Sequence, residues 1–363
     1  MIARHLSVEH DPFRRGAEFG REHRDEVHGP VQAYEKLFAA VHDYGRSDIA
    51  AAGVTVSAAL DRECPELASE IAGIASGADV QADLLMALNA RTEVLAGVSR
   101  PECSALGALP SATDGGTVIA QNWDWHPDVR SSLVLWTVPR ADGGWFTTFT
   151  EAGILAKIGL NSHGVGVCLN ILGSSADGGL DGVPIHILLR LLLQSCQSLE
   201  DADRLLRRAR VTASSCFNVG WSGAEEDGAS VAAFEVSPGG VVRLEPEHGV
   251  VLHTNHFVVD PPSGRDRILP EWPDTAARLD ELKSRVAERA VLDVPTIQEL
   301  LRSHDAGPIA ICCHDSNRPT YADRQESLAS IVMRLDDRSL EISEGPPCSN
   351  PYQEFLPLAA VSA

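Results

Sequence analysis

Apolar residues recur at helical spacing through the first hundred positions of the chain. The segments 31–41, 67–74 and 82–95 place apolar side chains three and four residues apart, the period that buries one face of an α-helix. A run at 13–20 starts this helical pattern. We therefore expect residues 1–102 to form a mainly helical N-terminal segment.

The pattern changes at Cys103, where short apolar runs begin to alternate with turn residues. The runs 103–109 and 117–123 flank the turn signal Asp114-Gly115-Gly116, an arrangement typical of a β-hairpin. Further strands are predicted at 133–138, 145–150, 156–160, 165–170, 217–221, 230–236, 241–246, 249–253, 328–335 and 339–343.

Two pairs of helices interrupt these strands. Pro184 precedes the apolar run 185–193 as a first-turn proline would, and the helical segment 199–207 follows. The second pair is predicted at 275–288 and 296–304. The order of strand block, helix pair and strand block favours an α+β fold, in which two sheets pack together with helices outside.

Composition narrows the choice of partner. Of the 363 residues, 44% are hydrophobic and 22% charged, which suits a globular protein with a real core. The formal net charge of −21 argues against nucleic acids and anionic membranes, which require a basic surface. No apolar run could span a membrane, and the N-terminus lacks a signal-peptide core. We expect a cytoplasmic protein that acts on a small molecule. Whether the protein forms a homo-oligomer is left open by the sequence.

The eight cysteines are dilute in a chain of this length. Several lie in apolar runs, where a buried free thiol is ordinary. The sequence has no CxxC pair, and its glycines fit turns better than the GxGxxG spacing of a phosphate-binding loop. We therefore predict neither a metal site nor a cofactor.

Candidate chemistry centres on Cys103, which lies at the junction of the helical segment and the hairpin. Taken alone, a cysteine is better explained as part of the core. On the second strand of the hairpin, alternation places Asn122 and Asp124 on one face and Gln121 on the other. An amide and a carboxylate beside a cysteine could hold the amine of a nucleophile, or they could form a solvated edge.

A second candidate feature follows the predicted strand 249–253. The spacing of His253 and His256 invites a metal interpretation, but on a strand it puts the two side chains on opposite faces. Asn255 lies between them, and an asparagine at a strand end can donate its side-chain N–H to an oxyanion.

Together these residues resemble a known family. The junction Pro101-Glu102-Cys103-Ser104, the strand end 120–125 (Ala-Gln-Asn-Trp-Asp-Trp) and the block 253–257 (His-Thr-Asn-His-Phe) are similar to the acyl-coenzyme A:6-aminopenicillanate acyltransferase family of cysteine N-terminal-nucleophile hydrolases. The C-terminal runs 330–333 and 345–348 extend the resemblance.

The resemblance implies a four-layer αββα sandwich of two antiparallel sheets with helices outside. It also implies self-cleavage between Glu102 and Cys103, which would divide one domain into a helical fragment, 1–102, and a β-rich fragment, 103–363. Cys103 would be the nucleophile, Asp124 would orient the new α-amine and Asn255 would serve the oxyanion hole.

Three functions remain open on the sequence alone. The first is hydrolysis of a small N-acyl amide or short peptide, the second is acyl transfer to an amine, and the third is a non-catalytic protein that keeps the fold. Gln121 stands where the distant bile-salt hydrolases carry an arginine, which argues against a bile-salt substrate.

Several residues near the C-terminus are candidates for supporting roles. Arg318 and Arg324 could neutralise an acidic group of the substrate. Ser327 and Ser330 are candidate supporting donors. The cluster 312–315 (Cys-Cys-His-Asp) is interpreted as a strand end near the mouth of the site, without a catalytic role.

Overall fold

The computed structural model describes residues 2–96, 103–223, 228–307, 310–314 and 317–357. Pro101 and Glu102, on which part of the sequence prediction rests, lie outside these ranges. The chain up to residue 96 is mainly helical, as predicted. Its helices are α1 (Pro12–Glu22), α2 (Arg24–His42), α3 (Arg46–Glu63), α4 (Pro65–Ala78), α5 (Ala82–Asn89) and α6 (Arg91–Val94).

Helices α1 and α4 pack backbone against backbone because glycines line their contact. A Cβ atom on Gly20 of α1 would lie 2.2 Å from the carbonyl oxygen of Ile74, and one on Gly77 of α4 would lie 2.2 Å from that of Ala17. No side chain fits at such distances, so glycine sets the separation of these helices.

Within the described residues, fourteen strands form the two central sheets. Their bounds are β1 (Ala3–Leu6), β2 (Cys103–Ala108), β3 (Val118–Trp125), β4 (Leu133–Pro139), β5 (Trp145–Glu151), β6 (Ile158–Asn161), β7 (Val165–Ile171), β8 (Ser215–Trp221), β9 (Ser230–Ser237), β10 (Gly240–Leu244), β11 (Val250–His253), β12 (Glu326–Arg334), β13 (Ser339–Glu344) and β14 (Tyr352–Phe355).

These strands form two sheets. The larger has the order β1-β4-β5-β6-β7-β8-β9-β10 and the smaller the order β11-β2-β3-β12-β13-β14. Neighbouring strands are antiparallel except for β1, which pairs in parallel with β4. The sheets face each other where β2 and β3 pack on β7 and β8.

Helices cover both outer faces. Helices α7 (Ile185–Ser195) and α8 (Leu199–Arg208) pack on the larger sheet, and α10 (Asp274–Ala287) and α11 (Val294–Leu301) pack on the smaller one. A short helix, α9 (Ile268–Glu271), precedes α10. The predicted α+β sandwich with helices outside is therefore confirmed.

The predicted hairpin is also confirmed, with shifted bounds. Strand β3 continues to Trp125, and β12 lies beside it and protects its backbone. The edge strands β1 and β14 were not predicted, because four residues with mixed polarity give no readable alternation. Pro184 precedes the first turn of α7 instead of occupying it. None of the described helices is both long and apolar enough to cross a bilayer.

Candidate active site

Cys103 is the first residue of β2 and lies between the two sheets. Its cross-strand partner is Trp123, so the two side chains share the inner face of the smaller sheet. Cys103 is 3% exposed. Cys168 of β7 is a near neighbour, but burial, and then the proximity of Cys103, raise the pKa of the Cys168 thiol well above its usual value. Cys168 is therefore an inert neighbour of the candidate nucleophile.

The register of β2 and β11 brings Asn255 to Cys103. His253, the last residue of β11, pairs with Ala105, so two residues beyond the strand the chain reaches the position opposite Cys103. There the side-chain Oδ1 of Asn255 accepts a hydrogen bond from the backbone nitrogen of Cys103 at 3.0 Å. The Nδ2 of Asn255 donates to the carbonyl of Ile171 at 3.0 Å.

A buried arginine completes this arrangement. Arg278, on α10, donates to the carbonyl oxygen of Cys103 at 2.8 Å and to Oδ1 of Asn255 at 3.0 Å. Because a guanidinium and a backbone N–H can only donate, the Asn255 atom between them must be the oxygen. Arg278 also donates to the hydroxyl of Ser104 at 2.9 Å, so it fixes the start of β2.

The carbonyl of Cys103 has a further donor from the larger sheet. Asn170 Nδ2, on β7, lies 3.1 Å from it, and Asn218 of β8 orients Asn170 by donating to its Oδ1 at 2.7 Å. Asn170 and Arg278 were not predicted from the sequence. A signal exists for each: Asn170 interrupts a buried strand, and Arg278 falls on the buried stripe of an amphipathic helix beside Leu279.

Asp124 is buried on the opposite face of β3 from Trp123. A bulge in β12 between Ser327 and Ala329 sets Ser327 across from Asp124. The Ser327 hydroxyl donates to Oδ1 of Asp124 at 2.5 Å, and the backbone nitrogen of Cys313 donates to that hydroxyl at 2.9 Å. Ser327 is therefore a supporting donor to Asp124.

Asn122 and Ser330 face α11 and the C-terminal strands. The Nδ2 of Asn122 donates to the carbonyls of Leu301, at 2.7 Å, and Ile311, at 2.6 Å. Asn122 shares a face with Asp124, as predicted, but it ties α11 to the sheet and lies on the face away from the Cys103 side chain. Ser330 bonds the hydroxyl of Tyr352 at 2.6 Å.

Gln121 points between the sheets. Its Nε2 donates to the carbonyl of Leu169 at 2.5 Å, and its Oε1 accepts from the Leu169 nitrogen at 2.9 Å. Both ends of the amide thus bond one residue of β7, next to Asn170. Gln121 therefore joins the two sheets, and by fixing Leu169 it positions Asn170 beside Cys103.

Buried cations support the tryptophans on either side of Asp124. Lys157 Nζ lies 3.9 Å from the ring centre of Trp123 and 2.6 Å from Glu151 Oε1. Arg91 lies 4.1 Å from the ring centre of Trp125. Cation–π contacts of this kind are strongest where water is excluded. They therefore help to fix the two tryptophan rings of β3.

A narrow, mainly apolar cleft lies next to this arrangement, between the helical segment and the ends of β3 and β7. Ile171, whose carbonyl bonds Asn255, lies in its wall. Arg324 also lines the cleft, held by a 3.0 Å bond from its Nε to the carbonyl of Arg318. Arg318 itself stacks on Trp272, 5.6 Å from the ring centre. The structure thus places Arg324, rather than Arg318, at the cleft.

The His253–His256 pair has a structural explanation. His253 is fully buried, and its Nε2 lies 3.1 Å from Glu235. His256 Nδ1 lies 3.1 Å from the hydroxyl of Thr275, which also accepts from the Asn255 nitrogen at 2.8 Å. The histidines therefore help to fix the loop that carries Asn255.

Comparison with known proteins relates this arrangement to a family. Residues 111–348 match the family described as acyl-coenzyme A:6-aminopenicillanic acid acyl-transferase. The acyl-coenzyme A:6-aminopenicillanic-acid-acyltransferase 40 kDa form of Emericella nidulans is 27% identical over 299 residues, which are 80% of this chain and 78% of that protein.

Solved structures also resemble this chain. Penicillin V acylase from Agrobacterium tumefaciens is 13% identical, with a TM-score of 0.47 over 67% of this chain and 83% of that chain. The Caenorhabditis elegans N-acylethanolamine-hydrolyzing acid amidase ortholog is 14% identical, with a TM-score of 0.44 over 64% and 93%. The family match covers well over half of the sequence. The chain therefore belongs to the acyl-coenzyme A:6-aminopenicillanic acid acyl-transferase family.

Proposed function

We propose that this chain is a self-processing cysteine amidohydrolase with Cys103 as its nucleophile. The observation that carries the proposal is the bonding of the Cys103 backbone. Its nitrogen is held by Asn255, and its carbonyl is held by Asn170 and Arg278. An enzyme whose nucleophile also supplies the base from its own α-amine needs this backbone nitrogen to be fixed.

Self-cleavage would proceed in two steps. The Cys103 thiol attacks the carbonyl carbon of Glu102, the C–N bond breaks, and the nitrogen takes up the thiol proton, so that a thioester replaces the amide. Water then hydrolyses the thioester, which leaves a carboxylate on Glu102 and frees the thiol of Cys103 beside the α-amine that the first step formed. The products are the fragments 1–102 and 103–363, which stay together as one domain.

Substrate hydrolysis would use the same two groups of Cys103. An α-amine has an ordinary pKa of about 7.7–8.0, so near neutral pH a useful fraction accepts the thiol proton. The thiolate attacks the substrate carbonyl, and the amine passes the proton to the leaving nitrogen. Water then releases the acyl group, and Cys103 is regenerated.

Neighbouring residues support this chemistry in distinct ways. Asp124, which Ser327 holds, directly follows the cross-strand partner of Cys103, and it is proposed to orient the protonated backbone amine rather than to contact the thiol. Asn255 is proposed to serve the oxyanion, which requires its Nδ2 to turn from the Ile171 carbonyl or to share its second hydrogen. Losing one oxyanion donor typically lowers the rate on the order of 10²–10³-fold. Asn122 and Gln121 position the strands instead.

The cleft next to the site suggests the substrate class. Its walls are mainly apolar, which suits the acyl part of a small N-acyl amide or short peptide, and Arg324 provides a cation for an acidic group. Arg318 supports Arg324 through its carbonyl. We propose that the enzyme works on such small molecules in the cytoplasm and needs neither metal nor cofactor for catalysis.

Acyl transfer is the second candidate, because the family and the Emericella nidulans relative are both described as acyltransferases. The same acyl-enzyme serves both reactions, and only the acceptor differs. Turnover of N-acyl amides with and without an added amine separates them. An N-acyl product that forms only with the amine, at the expense of the free acid, would favour the transferase.

The decisive test of self-processing is intact mass. We expect wild type to give two fragments with a new N-terminal Cys103, and Cys103→Ala to give one full-length chain. Cys168→Ala is the matched control, since this neighbouring thiol is inert, and it should be cleaved like wild type. A wild type that stays whole and whose Cys103 resists iodoacetamide would contradict the proposal and favour a non-catalytic protein.

A further inference from the structure

Four side chains of the zinc-binding types meet at one point outside the active site. They are His304, just beyond α11, Cys312 and His314 of the following loop, and Cys348 after β13. Each offers one ligand atom, and all four atoms lie within 4.8 Å of one another. His314 Nε2 is 3.4 Å from the sulfur of Cys312 and 3.1 Å from that of Cys348.

Of these distances, the two sulfur–nitrogen separations of 3.4 and 3.1 Å come close to an edge of a metal-centred tetrahedron. With zinc–sulfur and zinc–nitrogen bonds of about 2.3 and 2.0–2.1 Å, neighbouring ligand atoms stand roughly 3.3–3.8 Å apart. We infer that His304, Cys312, His314 and Cys348 bind one Zn²⁺ in a structural site.

The donor set selects zinc over other common cations. Two sulfurs and two imidazole nitrogens without a carboxylate suit zinc, whereas calcium and magnesium require oxygen ligands. Four protein ligands close the coordination shell, so the ion has no open position for catalysis. On binding, the two thiols lose their protons to solvent, and two thiolates neutralise the ion. Cys312, which is buried, then carries no uncompensated charge.

Hydrogen bonds join the three ligand-bearing segments without any ion. The Cys312 nitrogen donates to the carbonyl of Ser303 at 2.9 Å, which joins the loop to the segment of His304. Arg302 Nε donates to the carbonyl of Pro347 at 3.0 Å, which joins that segment to Cys348. A site organised before binding costs little ordering entropy when the ion arrives.

The bound ion would restrain the loop that carries Cys312, and this loop contacts the active site. The residues on either side of Cys312 are both linked to β3. The Ile311 carbonyl accepts directly from Asn122, and the Cys313 nitrogen donates to Ser327 of β12, which in turn bonds Asp124. Zinc binding therefore restrains the loop that positions these groups. The sequence gives no CxxC spacing for this site, because its ligands come from separate segments.

The test uses untagged, reduced, metal-free protein and Co²⁺ alone as the probe. We expect one equivalent to bind with thiolate–cobalt absorption and tetrahedral d–d bands, and Zn²⁺ to displace it. Cys348→Ser and His314→Ala should each weaken binding by more than about 100-fold, a larger loss than that from an outer-shell change. Both side chains are exposed, so neither change opens a cavity. Cys64→Ala, in the helical segment, is the matched control and should bind like wild type.

Several outcomes would overturn the inference. These are the absence of thiolate–cobalt absorption in wild type, equal binding by Cys348→Ser, and a Cys312–Cys348 disulfide in protein isolated under reducing conditions. A separate cluster is formed by His5, Glu22 and His23. If binding were lost only in a His5→Ala/His23→Ala variant, the ion would belong to that cluster, and the inference would be contradicted. Repeating the titration on Cys103→Ala keeps the result independent of self-cleavage.

Discussion

The side-chain oxygen of Asn255 holds the backbone nitrogen of Cys103 at 3.0 Å, while the side-chain nitrogen of the same residue lies 3.0 Å from the carbonyl of Ile171. The side-chain amide of Asn255 therefore has two functions, which substitutions can separate. The oxygen fixes the atom that cleavage would turn into an α-amine. The nitrogen is the group that could serve an oxyanion.

Two substitutions of Asn255 separate these duties. Asn255→Ala removes both, and we expect it to slow self-cleavage and to lower kcat about 10²–10³-fold. Asn255→Asp keeps an oxygen for the Cys103 nitrogen and for Arg278 but loses the donor. We expect it to process faster than Asn255→Ala and to hydrolyse amides equally poorly. Mass spectrometry and initial rates measure the two effects, and equal processing by both variants would refute the division.

Arg278 is predicted to act as a positioning residue. Its guanidinium holds the Cys103 carbonyl, the Ser104 hydroxyl and Asn255. Arg278→Leu leaves these buried groups short of donors, at about 1–3 kcal/mol each. We expect a lower Tm and a lower kcat with an unchanged KM, because Arg278 is not part of the cleft wall. Arg278→Lys should restore part of kcat.

Arg285→Gln, on the same helix, is the control for Arg278. Arg285 is partly exposed and pairs with Glu281, so its loss should leave kcat unchanged. A change in KM alone for Arg278→Leu would point to substrate contact and contradict the positioning role.

The stability of the fold should depend on pH through Glu93. Burial raises the pKa of this carboxyl from its usual 4.5 to about 7. The hydrogen bond from the Ile185 nitrogen acts in the opposite direction and lowers the pKa, but its effect is smaller. Between these values the folded protein binds a proton that the unfolded chain releases. The stability contributed by Glu93 is therefore full below pH 4.5 and is lost as the pH rises to about 7.

Glu93→Gln removes this dependence. Relative to its parent, the variant should gain stability from pH 5 to pH 8, by about 3 kcal/mol at most. Urea unfolding in a Cys103→Ala background, where the chain stays whole, measures the difference. Glu288→Gln, at an exposed position, is the matched control. A Glu93→Gln difference that is flat with pH would show that Glu93 titrates normally.

The glycine contact between α1 and α4 predicts a steric effect. Gly20→Ala places a methyl group against the carbonyl of Ile74, and the helices must separate. Overpacking of this kind costs about 1–3 kcal/mol. Gly45→Ala is the control, because the nearest atom to its Cβ is 3.5 Å away. A Tm for Gly20→Ala equal to that of Gly45→Ala would show that the contact is loose.

Local patterns predicted the helical segment, the hairpin and the strand blocks, because helical and strand periods are visible over a few residues. Four-residue strands such as β1 and β14 carry too little pattern. Their pairing depends on neighbours that are distant in sequence, which a local pattern cannot show.

The candidate site was predicted only in part. Cys103 and Asn255 do meet, because the register of β2 and β11 brings them together. The contacts of Arg278 and Asn170 with Cys103 depend on how a helix and a second sheet pack, and spacing does not encode this. Gln121 and Asn122 lie on the predicted faces, but their partners are backbone atoms of other elements. The catalytic roles of Cys103 and Asp124 stay predictions.

The parallel pairing of β1 with β4 has a consequence for refolding. Residues 3–6 precede the proposed cut, yet they complete the edge of a sheet built from residues that follow it. Once the chain is cut, unfolding releases two molecules, and recovery becomes a second-order association that slows on dilution. The mature enzyme would then persist through slow unfolding rather than through a reversible equilibrium. The uncut precursor would be the form that can refold at any concentration.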